Sequence, residues 1–96
     1  MTIEKNRQGD CLELKLIGWL DTVTSPVLDE ELNALDETVT SLVFDCGELE
    51  YISSAGLREI VAAYKKMNGD LTLKNVSEDI MNVIRMTGLD KRMKFA

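Results

Sequence analysis

The side chains with the greatest capacity for chemistry in this 96-residue chain lie close together, within residues 44–58. An apolar run ends at Asp45, and after a short loop a predicted helix opens on Ser53 and Ser54. Loops at the carboxyl ends of parallel strands are where α/β folds place their sites. One serine at a helix start is explained as a cap for free backbone N–H groups. The second serine, with the alanine and glycine that follow, exceeds what a cap requires and leaves a flat helix tip that another protein can approach.

The same stretch could in principle form three kinds of enzyme site. Asp45 could be the phospho-acceptor of a receiver domain, but the first predicted strand is followed by no acidic pair to hold Mg²⁺. Cys46 could be a nucleophile, but no histidine is present to activate it. A phosphate-binding loop would need more than one glycine and a following lysine. A small enzyme built on Asp45 and Cys46 remains the weakest of the open hypotheses.

Composition narrows the function further. The absence of histidine excludes Ser-His-Asp and Cys-His catalysis and any histidine-ligated metal. Cys11 and Cys46 are 35 positions apart and form no CxxC motif, which is typical of structural thiols in a reducing compartment. We therefore expect no catalytic residues, no metal site and no cofactor.

Charge and hydropathy indicate the kind of partner. The net charge of −6 argues against nucleic-acid binding, which depends on neutralising phosphates. Residues 1–48 hold 3 basic and 11 acidic side chains, whereas residues 49–96 hold 8 basic and 6 acidic ones. The acidic half could attract a basic partner or could simply be a solvated face. No apolar run is long enough to span a bilayer and no signal-peptide core is present, so we expect a cytoplasmic protein without membrane insertion.

Hydrophobic periodicity predicts an alternation of strands and helices. Alternating or short apolar runs predict five strands: residues 2–7, 11–17, 41–45, 70–74 and 93–95. Helical periods predict three helices: one from Ser25-Pro26 with Leu28, Leu32 and Leu35 buried, one over residues 54–68, and one from Ser77 to Gly88. We expect Ser25 to cap the first helix, and Asp29, Glu30 and Glu31 to lie near its positive end. Trp19 is expected to pack in the core or at its rim, and the alternative is a platform for a ligand.

The predicted order is β-β-α-β-α-β-α-β. Helices between strands imply right-handed parallel crossovers, and the first two strands are predicted to form a hairpin. The fold class is therefore α/β, a single domain over residues 1–96 with a mixed sheet that is mostly parallel, carries one antiparallel N-terminal strand, and is covered by about three helices.

Several segments together resemble the STAS domain family, which includes the bacterial anti-anti-sigma factors (anti-sigma factor antagonists). They cover nearly the whole chain in the family's order: Gly18-Trp19-Leu20-Asp21-Thr22-Val23-Thr24-Ser25-Pro26, Phe44-Asp45, Tyr51-Ile52-Ser53-Ser54-Ala55-Gly56-Leu57-Arg58, Leu73-Lys74-Asn75-Val76, and Ile84-Arg85-Met86-Thr87-Gly88-Leu89-Asp90.

The resemblance implies a binding switch rather than an enzyme. In the family, a serine kinase of the histidine-kinase-like ATPase fold, which is also the anti-sigma factor, phosphorylates a serine in a Asp-Ser-x-Gly-Leu motif, and a PP2C-type phosphatase removes the phosphate. The unphosphorylated protein captures the anti-sigma factor. Aligned on the Gly-Leu pair, the acceptor is Ser54, and we expect a monomer or weak dimer.

The resemblance also implies a partner-binding surface. Its expected members are Asp21, Thr24, Asp45, Ser53, Ser54, Ala55, Gly56, Leu57 and Arg58. Ser53 stands where the phosphorylated proteins have Asp, and this departure motivates an alternative: an unphosphorylated STAS interaction subunit of a transporter, such as a lipid-transport ATPase complex, or of a larger signalling assembly.

Overall fold

The computed structural model describes all residues from 1 to 96 and contains five strands and three α-helices. The elements are, in chain order, β1 (Thr2–Gln8), β2 (Cys11–Leu20), α1 (Ser25–Asn33), β3 (Ser41–Ile52), α2 (Ser54–Lys66), β4 (Leu71–Lys74), α3 (Glu78–Met86) and β5 (Lys94–Phe95), with a short 3₁₀ turn at Leu89–Lys91. The predicted order of strands and helices is confirmed.

The five strands form one sheet in the order β1-β2-β3-β4-β5. β1 and β2 pair antiparallel through the turn at Gly9, and every later neighbour is parallel because a helix connects it to the strand before. The predicted α/β fold class, with a mixed sheet and one antiparallel N-terminal strand, is confirmed.

One face of the sheet carries the core. Alternate side chains of β2, β3 and β4 are buried and join the inward residues of all three helices in a single apolar cluster. The opposite side chains of these strands are polar or partly exposed and no helix packs on them. We call this second side the helix-free face.

β3 is longer than its sequence pattern predicts. The strand was expected to end at Asp45, but it continues to Ile52, so the segment expected to be a loop is strand. Beyond Cys46 the buried positions are Leu49 and Ile52, three residues apart. The pairing with β2 shifts register twice in this region, which breaks the two-residue period and hides the strand.

The start of α1 also differs from expectation. Ser25 lies inside the helix and its hydroxyl donates to the Asp21 carbonyl, so it does not act as the cap. Because the helix begins at Ser25, residues 29–31 lie beyond its first turn, which contains no acidic side chain. The expected interaction of these acids with the helix dipole is therefore wrong. One of them, Glu31, instead pairs with Lys5 on β1 at 2.8 Å.

Candidate functional site

The carboxyl ends of β2 and β3 meet at the start of α2. The Ser53 N–H donates to the Leu20 carbonyl at 2.9 Å, so the loop that follows β2 lies against the helix tip. Gly56 makes this contact possible, because a Cβ there would lie 2.6 Å from the Leu20 oxygen and 2.8 Å from an Ile52 side-chain carbon. Residues from the acidic and the basic halves of the chain are thus brought together.

Asp21 organises the loop between β2 and α1. Its Oδ1 accepts hydrogen bonds from the backbone N–H groups of Val23 and Thr24, each at 3.0 Å. The Thr24 hydroxyl accepts from the Asp21 N–H at 2.9 Å and donates to the Trp19 carbonyl at 2.7 Å. Bonds from the Thr24 and Val23 backbone lower the pKa of Asp21, so its carboxylate is firmly ionised at neutral pH. Asp21 therefore orders the loop that leads into α1, and no side chain caps the helix itself.

The two serines of the motif take different roles. Ser53 is the N-cap of α2, and its hydroxyl accepts from the Gly56 N–H at 3.4 Å. Ser54 is the first residue of the helix, is exposed, and its hydroxyl makes no hydrogen bond within the protein. The cap and the free hydroxyl that the sequence could not tell apart are thereby assigned.

The rest of the motif divides between core and surface. Ala55, Gly56 and Leu57 are buried and hold the first turn of α2 against the sheet. Arg58, one turn after Ser54, is exposed and forms no ion pair. The helix tip therefore presents a free hydroxyl and a free guanidinium to solvent.

Asp45 lies away from this tip. It is seven residues before the end of β3, roughly 20 Å along the strand at the usual rise. It occupies the helix-free face between Lys15 of β2 and Lys74 of β4, its register partners. Burial raises its pKa, but hydrogen bonds from the Gly47 N–H and the Asn75 amide, with the nearby lysines, lower it by more. Its expected place beside the serines is not what the structure shows.

Cys46 is poorly suited to nucleophilic chemistry. Its side chain is buried within the core cluster, with 1% of its surface exposed. Burial, with a smaller contribution from the neighbouring Asp45 carboxylate, raises the pKa of the thiol to about 12. A thiol without access or ionisation is inert, which argues against the small-enzyme hypothesis.

The sequence predicts neither the exposed contact between Trp19 and Tyr51 nor the buried carboxylate of Glu59. Trp19 and Tyr51 are register partners whose rings lie 5.4 Å apart, and both are about half exposed rather than packed in the core. Glu59 on α2 has a carboxylate oxygen that is buried without a hydrogen-bond partner. Burial raises the pKa of Glu59, and Asp29 on α1 raises it further. A signal for the two aromatic rings was present in the sequence. Successive side chains of a strand point to opposite faces, so Trp19 and Tyr51, next to the apolar Leu20 and Ile52, belong on the face opposite the core.

Neither a metal centre nor a membrane segment is visible. No three side chains among the cysteines, aspartates and glutamates are grouped so that they could hold an ion. None of the helices combines the length and apolar composition needed to cross a bilayer.

Comparison with known proteins identifies the family. The model of the STAS domain matches residues 2–96. The anti-sigma-B factor antagonist of Bacillus subtilis is 32% identical over 88 residues, which cover 88% of this chain and 80% of that protein. An anti-sigma factor antagonist from Mycobacterium paratuberculosis is 25% identical, with a TM-score of 0.87 over 98% of this chain and 83% of that one.

The fold recurs in a more distant protein that is known in two states. The anti-sigma factor antagonist SpoIIAA of Bacillus superposes in its unphosphorylated form with a TM-score of 0.78 at 13% identity, over 99% of this chain and 87% of that one. Its phosphorylated form gives a TM-score of 0.68 at 16% identity, over 99% and 91%. The resemblance read from the sequence is confirmed. Since the family model covers nearly the whole chain, the chain belongs to the STAS domain family.

Proposed function

We propose that this protein is an anti-sigma factor antagonist switched by phosphorylation of Ser54. In its unphosphorylated form it binds an anti-sigma factor that is a serine kinase of the histidine-kinase-like ATPase fold. That kinase phosphorylates Ser54 and the complex dissociates, and a PP2C-type phosphatase restores the active form. The observation that carries the proposal is the Ser54 hydroxyl, exposed and without a hydrogen bond on the first residue of α2.

The surface around Ser54 supports a protein partner. The proposed interface consists of the Asp21 loop with Thr24 and the tip of α2 from Ser53 to Arg58. Both are held in place by hydrogen bonds that their backbone N–H groups donate within the protein, so little conformational entropy would be lost on docking. Asp45 is left out of this interface because of its position along β3.

The position of Ser54 also explains how a phosphate could switch binding without unfolding the domain. A helix N-terminus stabilises an anion through its free N–H groups and its dipole. A phosphate adds about −1.5 to −2 charges. The docked complex would have to bury this dianion beside the Asp21 carboxylate of the facing loop, and the cost of desolvating it would weaken binding.

The alternative function is that of an unphosphorylated STAS subunit in a transporter or signalling complex. The observation that favours it is Ser53. This residue stands at the position of the acidic residue in the family's phosphorylated motif, and its side chain is used as a helix cap. A site without that acid could keep its docking role and lose its recognition as a kinase substrate.

Incubation with the organism's own histidine-kinase-like anti-sigma kinase and ATP separates these functions. We expect one phosphate, mapped by mass spectrometry to Ser54 and lost in Ser54→Ala. We expect Ser54→Asp to weaken kinase binding by about tenfold or more, because it places a charge inside the docked surface.

The matched control is Ser77→Asp, which introduces the same charge at the exposed N-cap of α3 and should leave binding unchanged. Absence of both binding and phosphate on Ser54 would refute the proposal. Full retention of a partner by Ser54→Asp would favour the constitutive subunit.

A further inference from the structure

Trp19 and Tyr51 are an anomaly on the helix-free face. Their strand neighbours Leu20 and Ile52 are buried in the core, so both rings project to the opposite side. Gly18, with φ at 103°, lies at the register shift next to Trp19 and adopts a backbone conformation that other residues rarely reach. The rings contact each other at 5.4 Å with 50° between their planes.

The surroundings of the pair are charged. Toward the middle of the sheet the same face carries Lys15, paired with Glu48 at 2.6 Å, and Lys74, paired with Glu13 at 2.7 Å. The exposed fraction is 56% for Trp19 and 47% for Tyr51. Neither ring is therefore required to fill the core. Large aromatic side chains left exposed side by side are typical anchors of protein interfaces.

The pair is continuous with the proposed Ser54 interface. Tyr51 precedes Ser54 by three residues, and the Trp19 carbonyl accepts the hydrogen bond of the Thr24 hydroxyl. Val23 in the adjoining loop is 82% exposed and extends the apolar surface. A partner seated on the tip of α2 would have the rings within reach at the rim of its contact.

The charge beside the rings selects the chemistry of the partner. Asp21 follows the last residue of β2, Glu50 precedes Tyr51 near the end of β3, and neither forms an ion pair. Negative charge next to an exposed tryptophan face attracts a guanidinium, which stacks on the ring and pairs with a carboxylate. An apolar side chain alone would leave the exposed Glu50 carboxylate without a partner.

We infer that Trp19 and Tyr51 form an aromatic docking surface for a segment of the anti-sigma kinase in which an arginine lies next to an apolar side chain. The inference rests on the proposed function, and it extends the interface from the helix tip onto the helix-free face. Phosphorylation of Ser54 would then release a contact that the rings help to hold.

The first test measures kinase affinity for Trp19→Ala and Tyr51→Ala. We expect a loss of roughly tenfold or more for Trp19→Ala, with partial recovery in Trp19→Phe. The control is Met86→Ala, which removes the most exposed large apolar side chain, 86% exposed, from the end of α3. Circular dichroism confirms that each variant is folded. Unchanged affinity in both aromatic variants would overturn the docking surface.

The second test addresses the charge. Glu50→Lys should weaken kinase binding, and raising the salt concentration should reduce the difference from wild type. Glu37→Lys makes the same change in the exposed loop before β3, at the other end of the parallel strands, and should have no effect. Equal effects of the two variants would show that only net charge matters and would overturn the selection of an arginine by this site.

The third test uses Trp19 as a probe, because it is the only tryptophan in the chain. With a kinase freed of its own tryptophans, complex formation should shift the emission of Trp19 and protect it from acrylamide. Binding and phosphorylation of wild type without protection of Trp19 would overturn the docking surface alone. Failure of wild type to bind the kinase would overturn both the surface and the proposed function.

Discussion

The middle of β3 around Asp45 and the short segment beyond its end around Ser54 both carry side chains capable of chemistry, but they differ in how these are satisfied. Asp45 is bonded by Asn75 and by a backbone N–H, and it lies between two lysines. At the end of the strand the Ser54 hydroxyl and the Arg58 guanidinium have no partner in the protein.

Whether a polar side chain has a partner within the protein distinguishes structural from functional groups more clearly than its residue type does. Polar groups bonded within the fold contribute to its stability and have little left to offer a ligand. Groups held on a rigid frame without partners are available to another molecule. On this criterion we place the proposed binding region at the tip of α2, and the middle of the sheet is part of the scaffold that positions it.

The largest expected effect on stability comes from adding a side-chain carbon where the tip of α2 contacts the end of β2. Gly56→Ala would place a Cβ 2.6 Å from the Leu20 carbonyl oxygen, which cannot move without shifting β2. In an ordinary helix this change stabilises by up to about 1 kcal/mol. Here we expect it to lower the free energy of unfolding by roughly 2–3 kcal/mol, measured by urea denaturation.

The matched control lies in the middle of the sheet. At Gly47 an added Cβ would approach the Asp45 side chain at 3.2 Å, and that side chain can move. Gly47→Ala should therefore lower the free energy of unfolding by less than about 1 kcal/mol. Similar losses for both variants would show that the joint at α2 is not a special constraint.

The sequence was informative about elements and much less about how they meet. The order of strands and helices followed from hydrophobic periods, and the motif around Ser54 identified the helix tip. The end of β3 was misplaced because the register shifts near Lys15 and Gly18 interrupt the alternation on which the prediction depends. The tilted contact between the Trp19 and Tyr51 rings depends on that same register between distant segments, which no local pattern encodes.

An intermediate effect is expected when the charge in the middle of the sheet is removed. The pKa of Asp45 is lowered in the folded protein, so its contribution to stability is present above the unfolded pKa of about 3.9 and is lost as pH falls through the folded pKa. Asp45→Asn should lower the free energy of unfolding by roughly 0.5–1 kcal/mol at pH 7.

Urea denaturation at pH 7 and below pH 4 checks this, and the difference from wild type should shrink in acid. The same variant bears on the comparison of the two regions. A clear loss of Ser54 phosphorylation in Asp45→Asn would show that the middle of the sheet contributes to partner binding and is not scaffold alone.

The smallest effect, of opposite sign, is expected at Glu59, which carries a buried unsatisfied oxygen behind the tip of α2. Burial and Asp29 raise the pKa of Glu59, so its contribution to stability is complete below the unfolded pKa of about 4.3 and is lost as pH rises through the folded pKa. Glu59→Gln should therefore raise the free energy of unfolding by about 0.5 kcal/mol at pH 7, with the gain disappearing near pH 4.

Glu30→Gln, at an exposed position of α1, provides the control and should show no such dependence. A gain at Glu59 that persists in acid would mean that its charge is not the cause. Loss of the gain in acid would instead show that the ionised Glu59 carboxylate destabilises the fold at neutral pH. The helix behind the proposed binding region would then carry an unpaired charge, whereas the charged side chains in the middle of the sheet are paired.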